Sequence, residues 1–248
     1  MANFLPFKNY IFYCLDRIIE ERHLRPPFLD AGCGTGDLSQ YLYLKGWHGL
    51  ALDFSEVAIK NTRENLRLAK EVKVEHKSLY EVEGKFKSVF LLDVLEHVED
   101  DAGILKKISS LLEEQGYLFL TIPSNAGEWS WDDEFYGHHR RYSAEEIKKK
   151  ITDAGLETIL CWDISLPVFW VLRRFFVLFR PPVKDLPLDK EVCTKISTTV
   201  NAWEKFNFPF FNKMDFFWSM IYKLQFRFFK NQTKRGHELI VLAAKNGK

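Results

Sequence analysis

The chain has 248 residues, of which 46% are hydrophobic and 28% charged, and its formal net charge is +1. A chain of this size and composition can bury a large core as one α/β domain, with or without a sizeable insertion. The near-neutral charge and the lack of a recognisable RNA-binding module give no sign of a nucleic-acid partner, so we expect none. The four cysteines form neither a CxxC pair nor a cluster with metal spacing, so we expect no disulfide framework and no zinc site.

The start of the chain does not resemble a secretory signal. Lys8 and Asp16 interrupt its first apolar stretch, and no small-residue cleavage site follows. No run of 18 uncharged apolar residues is present, so we do not expect a membrane-spanning helix. These features predict a cytoplasmic protein.

Hydrophobic periodicity predicts strands that alternate with helices along most of the chain. This alternation is typical of a doubly wound, mostly parallel sheet with helices on both faces. The stretch 164–235 is too long for a simple connection, so we expect an inserted helical subdomain there, with 1–163 and 236–248 forming the main domain. In chain order, the predicted elements are a helix over 9–23, a strand over 28–30, a helix over 37–45, a strand over 49–53, a helix from the N-cap Ser55 to 68, strands over 72–76 and 88–93, a helix over 101–112, a strand over 116–122, a helix that Ser143 and Glu146 begin and Gly155 ends, and strands over 158–163 and 238–244.

A glycine-rich turn follows the first predicted strand, in the sequence Asp30-Ala31-Gly32-Cys33-Gly34-Thr35-Gly36. Glycines let the backbone approach a ligand and adopt positive φ, and the helix that follows supplies unpaired N–H groups. The G-x-G-x-G spacing differs from the G-x-G-x-x-G of dinucleotide enzymes. A carboxylate at Asp30 would repel a pyrophosphate but suits a ligand with a positive amino group, such as S-adenosylmethionine.

A second acidic residue, Asp53, ends the next predicted strand. Its carboxylate can accept hydrogen bonds from both hydroxyls of a ribose, and the neighbouring Phe54 can pack on an adenine. The sequence therefore predicts a nucleoside-binding edge at the ends of the first two strands.

These motifs resemble those of the class I methyltransferases with a Rossmann-like fold, especially their small-molecule and lipid-acting branch. The resemblance covers about residues 25–165 and 236–245, and it includes the segments 92–98 (LDVLEHV) and 116–123 (GYLFLTIP). It implies a seven-stranded sheet with an antiparallel last strand over 238–244. It also implies S-adenosylmethionine as methyl donor, with S-adenosylhomocysteine as product. The cofactor-binding residues that it implies are Asp30, Gly32, Cys33, Gly34, Gly36, Asp53, Phe54, Ser78, Leu79, Asp93 and Val94.

The sequence departs from the family pattern after the third strand. Many relatives have an acidic residue there that bonds the adenine amino group, whereas this chain has Lys77-Ser78-Leu79-Tyr80. Ser78 or a backbone carbonyl must therefore bond the adenine amino group instead.

Three histidines are candidates for catalysis. Methyl transfer is a displacement at an activated sulfonium, so the protein mainly has to align the acceptor and exclude water. If the acceptor is a hydroxyl, a base helps to remove its proton. His97 follows the strand whose end faces the cofactor, although in relatives a residue here often shapes the cofactor site instead. His138 and His139 are the alternative bases.

The loop after the fifth strand has the composition of a substrate-binding segment, with Trp131, Arg140, Arg141 and Tyr142 as candidates. The two arginines can bind an anionic group by bidentate hydrogen bonds. Alternatively, Arg140 and Tyr142 fix the loop against the sheet. The spacing of 132, 133, 138 and 139 also suits a metal site, but such loop residues are more often hydrogen-bonded than metal-bound.

The segment 167–235 holds 17 of the 38 aromatic residues, with 13 Lys/Arg against 5 Asp/Glu. Its stretches 168–180 and 216–230 mix aromatic and aliphatic residues with basic ones, which suits a helix lying in a membrane interface or a lid over a hydrophobic substrate. An ordinary helical subdomain with its own aromatic core, or a dimer contact, is the alternative. The predicted function is methyl transfer to a small-molecule or lipid-like acceptor, at oxygen. A non-catalytic binding protein with this fold and an NAD-dependent oxidoreductase are the other interpretations.

Overall fold

The computed structural model describes residues 6–179 and 215–246. Strands and helices alternate through most of these ranges, as the hydrophobic periodicity predicts. The helices are α1 (Pro6–Arg22), α2 (Asp37–Leu44), α3 (Glu56–Asn65), α4 (Asp101–Leu111), α5 (Trp131–Tyr136), α6 (Ala144–Asp153), α7 (Val168–Phe179) and α8 (Asp215–Phe229), and the strands are β1 (Phe28–Ala31), β2 (Gly49–Asp53), β3 (Val72–His76), β4 (Phe86–Leu92), β5 (Leu112–Pro123), β6 (Glu157–Asp163) and β7 (Glu238–Ala244).

The seven strands form one sheet in the order β3-β2-β1-β4-β5-β7-β6. β1 to β5 run parallel, while β7 is antiparallel to both of its neighbours, β5 and β6. This confirms the Rossmann-like fold with its antiparallel last strand. The strand order reverses between β1 and β4, so the crevice at their carboxyl ends is where a ligand is expected.

Residues on successive strand positions face opposite sides of the sheet and form two cores. In β7, Ile240 and Leu242 lie in one core while Leu239 and Val241 lie in the other. The first core takes apolar residues from α1, α2, α3, α7 and α8, and the second takes them from α4 and α6. Burial on both faces explains why these strands are nearly continuous apolar runs.

Three predicted boundaries moved by three residues or more. α1 begins at Pro6 rather than at residue 9, consistent with the preference of proline for the first helical position. α3 ends at Asn65 rather than 68. β5 begins at Leu112, directly after α4, because an irregularity in its pairing with β4 lets Leu112 pair with Phe86. The predicted N-caps are confirmed, since Ser55 and Ser143 each accept a backbone N–H from the first turn of their helix.

The two described helices of the segment 164–235 pack against the main domain. The rings of Tyr10 in α1 and Tyr222 in α8 lie 5.2 Å apart, and Phe169 of α7 stacks on Trp218 of α8 at 6.1 Å. The Tyr222 hydroxyl donates to the carbonyl of Pro6 at 2.8 Å. Both helices therefore share the first core with the sheet. A separate subdomain stays a prediction, because 180–214 lie outside the described residues.

Within the described ranges, no helix is both long enough and apolar enough to cross a membrane.

Candidate cofactor and acceptor site

The glycine-rich turn joins β1 to α2 with positive φ at each of its glycines. A Cβ at Gly32 would lie 2.5 Å from Cγ2 of Val94, so the backbone there passes directly against the segment that follows β4. At Gly34, by contrast, no atom lies within 4 Å of where a Cβ would stand, although its φ is +55°. The turn therefore has open space on the Gly34 side, where a ligand can approach the backbone.

Two carboxylates flank this turn. Asp53, at the end of β2, accepts the N–H of Gly34 at 3.0 Å and that of Ser55 at 2.8 Å, and burial raises the pKa of this carboxyl. Asp30 lies beneath the turn and accepts the Ser39 hydroxyl at 2.7 Å. Burial raises the pKa of Asp30 to about 7. Open space beside Gly34 and an acid at each strand end fit S-adenosylmethionine, which carries a ribose and an ammonium group.

The residues predicted to contact adenine lie along the next part of the same edge. Phe54 is 46% exposed directly after β2, as a ring that packs on a ligand has to be. Leu79 is buried, and the Ser78 hydroxyl caps a short 3-10 turn by accepting the N–H of Tyr80. The backbone N–H of Ser78 donates to the Glu81 carboxylate. The adenine contact of Ser78 stays a prediction.

The end of β4 meets the turn through Asp93 and Val94. Asp93 has a φ of +53°, a strained conformation for a residue other than glycine. Its carboxylate accepts the Thr121 hydroxyl of β5 at 2.7 Å. Glu238, at the start of β7, is buried on the same edge, and burial and the charge of Asp93 raise its pKa well above the usual value. This acidic edge was missed in the sequence because β7 is 145 positions away from Asp93.

The histidines come together between the loops that follow β4 and β5. His97 lies in a 3-10 turn over Leu95–His97, and its ring contacts the His138 ring edge-on with 4.8 Å between centroids. The Nδ1 atom of His138 hydrogen-bonds to Asp133 at 2.8 Å. Burial lowers the pKa of His97 to about 3. The backbone N–H of His139 donates to the Glu96 carbonyl at 2.8 Å, which joins the two loops.

Glu96 occupies the centre of this histidine cluster and is fully buried. Neither of its carboxylate oxygens has a hydrogen-bond partner, and burial, with the nearby charge of Asp93, raises its pKa well above the usual value. Its Oε1 lies 4.0 Å from Nε2 of His97 and 3.9 Å from Nε2 of His138. Glu96 was part of a recognised motif in the sequence, but nothing there indicated that its side chain is buried without a partner.

The predicted substrate residues make internal contacts in the structure. Arg141 is buried and donates to the Asp133 carboxylate and to two backbone carbonyls. Arg140 pairs with Asp101 at 3.0 Å, and the Tyr142 hydroxyl donates to the same carboxylate at 2.9 Å. These contacts favour the alternative interpretation, in which the residues fix the loop against the sheet. Contact with substrate stays a prediction for them.

Trp131 makes its described contacts with α7. Its indole N–H donates to the carbonyl of Val177 at 3.1 Å, and its ring lies 5.4 Å from that of Phe176. The predicted substrate contact of Trp131 therefore also stays a prediction, next to an observed role in joining α5 to α7.

A buried ion pair from α7 supports the same loop. Arg173 makes a bidentate contact with Asp132: its Nε and Nη2 atoms donate to the two carboxylate oxygens at 3.0 and 2.7 Å. Nη2 also lies 3.2 Å from Asp133, the residue that holds His138. From the sequence, Arg173 is expected only as a basic residue of an interfacial helix. The sequence feature that could have revealed this role is a cation in the middle of an apolar run, because a buried cation needs an acidic partner.

The fold and the glycine turn with its two acids are those of a class I methyltransferase that uses S-adenosylmethionine. Comparison with known families agrees, since the methyltransferase domain family matches residues 8–160. The chain belongs to this family.

Individual relatives are more distant. The chain is 31% identical over 101 residues to a ubiquinone biosynthesis O-methyltransferase of Marinobacter nauticus, covering 38% of this chain and 42% of that protein. It is 26% identical over 148 residues to the Acinetobacter baylyi protein of the same name, covering 52% and 62%. The chain thus spans between two fifths and two thirds of these relatives.

Among solved structures, a similar one is the 1,6-didemethyltoxoflavin-N1-methyltransferase of Burkholderia thailandensis, crystallised with its substrate and S-adenosylhomocysteine. The TM-score is 0.56 at 14% identity, covering 98% of this chain and 79% of that one. At this identity the likeness shows the shared fold.

Proposed function

We propose that this enzyme methylates a hydroxyl oxygen on a small, largely apolar acceptor that binds beside the histidine cluster. One observation carries the proposal: Val94 packs on Gly32 of the cofactor turn, and His97 lies three residues further along the same segment. The cofactor turn and the histidines are therefore adjacent. The names of the curated relatives support oxygen as the methylated atom and a quinone precursor as the type of acceptor.

The bound cofactor supplies a methyl group that is already activated on a sulfonium. The O–CH₃ bond forms as the S–CH₃ bond breaks, the bonding pair goes to sulfur, and the acceptor proton leaves. The chain contributes alignment and exclusion of water, which can supply most of the catalysis in a displacement of this kind. We assign the loss of the proton to the cluster of His97, His138 and His139.

The proposed cofactor-binding residues are those predicted from the sequence, and their positions around the glycine-rich turn support the assignment. Asp53 would receive the ribose hydroxyls, and Asp30 would provide negative charge beneath the turn for the ammonium group. The backbone of the glycine-rich turn would lie directly against the cofactor at Gly32, Cys33, Gly34 and Gly36. Asp93 and Val94 would border the methionine end, and Phe54, Ser78 and Leu79 the adenine. Because their observed contacts are internal, Arg140, Arg141 and Tyr142 shape the acceptor side in this proposal by holding its loop.

The described helices of the 167–235 segment further suit an acceptor delivered from a lipid surface. On α7, Phe175 is 56% exposed and Leu178 74%, and on α8, Phe216 is 86% exposed. The exposed cations Arg174 and Arg227 lie on the same two helices. Exposed aromatic residues beside cations are typical of helices that bind anionic membrane surfaces. The proposed contact is peripheral.

The acceptor can be tested with radiolabelled donor. Purified protein and [methyl-³H]S-adenosylmethionine are incubated with matched aromatic compounds that carry a hydroxyl, an amine or neither, each with and without a prenyl chain. We expect label in the organic phase only with the hydroxyl compounds, more with the prenyl chain, and a methyl ether by mass spectrometry. Label on the amine alone would refute oxygen as the target.

The membrane contact has its own test. We expect the protein to sediment with vesicles that contain an anionic lipid and less with neutral vesicles. Phe216→Glu should weaken this binding, whereas Leu44→Glu, an exposed apolar residue of α2, should not. Equal binding of both variants would refute contact through α8, and no binding by the unaltered protein would refute the membrane proposal.

A further inference from the structure

We infer that Glu96, His97 and His138 form a binding site for a divalent transition-metal ion. One ligand-type atom from each of these residues lies within 4.8 Å of the other two. Two imidazoles and one carboxylate are a donor set that binds Zn²⁺, Fe²⁺ or Co²⁺ in preference to Mg²⁺, which favours oxygen. No metal site is expected from the sequence, because the three residues come from loops that only the fold brings together.

The Glu96 carboxyl is the first argument for the site. It is fully buried and both of its oxygens lack a hydrogen-bond partner, which costs several kcal/mol for a polar group in a protein interior. Within the described ranges, it is the only carboxyl with both oxygens in this state. A cation between Glu96 and the two histidines would satisfy those oxygens.

The orientation of the two imidazoles is the second argument. His138 bonds Asp133 through Nδ1, which directs Nε2 towards Glu96. The His97 ring hydrogen-bonds to the backbone of Gly137, and its Nε2 lies 4.0 Å from Oε1 of Glu96. Metal-binding histidines are almost always fixed in this way, by a carboxylate or a backbone carbonyl on the other ring nitrogen. Asp133 is itself held by Arg141 and by Arg173 of α7, so the support is rigid.

The spacing suits an ion after a small contraction. With metal–ligand bonds of about 2.0–2.2 Å, tetrahedral ligand atoms lie about 3.3–3.6 Å apart. The observed 3.9 and 4.0 Å to Glu96 need each imidazole to move by roughly half an ångström. His97 and His138 remain partly exposed, with side-chain exposures of 15% and 12%. Three protein ligands with an exposed side are typical of a metal site that also binds substrate.

The use of such an ion rests on the proposed function, whereas its binding does not. A hydroxyl acceptor that coordinates a bound cation loses its proton more readily, and with His97 and His138 serving as ligands the proton passes to water or to His139. The ion would thus assist O-methylation at the position where the structure places the histidines beside the cofactor turn.

The test measures Zn²⁺ and Co²⁺ binding to the chelator-stripped full chain by calorimetry and equilibrium dialysis, without any acceptor. We expect one equivalent to bind. Glu96→Gln and His138→Gln should each weaken binding by more than about 100-fold, beyond the range of changes to supporting residues. The matched control is His48→Gln, which removes an exposed histidine distant in sequence from the three ligands. It should leave the metal affinity unchanged. S-adenosylmethionine binding and circular dichroism verify that each variant is folded.

A second measurement needs no variant. The X-ray absorption fine structure of Zn²⁺ bound to the unaltered protein counts imidazole ligands, and we expect two. No binding, unchanged binding in Glu96→Gln, or fewer than two imidazoles would overturn the site. Metal binding without methyl transfer to any hydroxyl would instead refute the proposed function and leave the site standing.

Discussion

Replacing Arg173 with methionine tests how the segment 164–235 is attached to the loop that follows β5. Methionine preserves much of the apolar stem, so the change mainly removes the charge and its hydrogen bonds. Arg173 is 5% exposed and contacts Asp132, Asp133 and the backbone carbonyl of Glu128. Its loss leaves the buried Asp132 carboxylate without its cation.

The expected loss of stability is large. Removing one partner of a buried ion pair costs about 3–5 kcal/mol, a sizeable part of the 5–15 kcal/mol typical of whole domains. With an unfolding entropy of about 2.1 cal/mol/K per residue over the chain, this lowers Tm by about 6–10 °C. Urea denaturation followed by circular dichroism, and calorimetry for Tm, measure the two quantities.

The adjacent arginine is the matched control. The Arg174 side chain is 55% exposed, pairs with Glu128 at 2.6 Å and lies 4.0 Å above the Trp170 ring. Arg174→Met should therefore cost only about 1 kcal/mol. Adding Asp132→Leu to Arg173→Met should recover part of the loss, since the unpaired acid is then gone. If the two single variants lose equal stability, the buried network does not anchor α7 as described.

Three further predictions concern the cofactor turn. Asp53→Ala should weaken S-adenosylmethionine binding by about 1.5–3 kcal/mol, or roughly 10- to 150-fold, and unchanged affinity by calorimetry would remove the ribose assignment. Gly34→Ala should cost only the backbone strain of about 1–2 kcal/mol, whereas Gly32→Ala should cost more because its Cβ meets Val94, and equal urea midpoints would contradict this. Burial raises the folded-state pKa of Asp30 to about 7, well above that of an exposed aspartate, so the stability of the protein relative to Asp30→Asn should fall by up to about 4 kcal/mol from pH 4 to pH 7. A difference in unfolding free energy that stays flat over this range would show that Asp30 is ionised in the fold.

Most of the fold could be predicted because its signals are local. Each strand buried on both faces is an apolar run, and the turn glycines with Asp30 and Asp53 lie within 24 residues of one another. Helix starts at Ser55 and Ser143 followed from capping chemistry within one turn. The beginning of β5 could not be predicted in this way, because it depends on the pairing of Leu112 with Phe86 of β4, across an irregularity in the register.

The acceptor side was less predictable because its contacts join distant parts of the chain. Arg173 reaches Asp132 across 41 positions, and Glu96 meets His138 across 42. The arginines at 173 and 174 look alike in sequence, yet one is buried in an ion-pair network and the other is half exposed. Their difference depends on which face of α7 meets the loop, which no local pattern records.

The position of β7 has a consequence for how the protein is made. Among the described residues, β6 pairs with no strand other than β7, and β7 fills the place between β5 and β6 although it is the last of the seven strands to be synthesised. During translation, β5 therefore presents an unpaired edge and β6 has no place in the sheet until about 75 further residues have left the ribosome. Open strand edges invite pairing with other chains, so a nascent chain stalled before residue 238 should depend on chaperones to a degree that the finished protein does not.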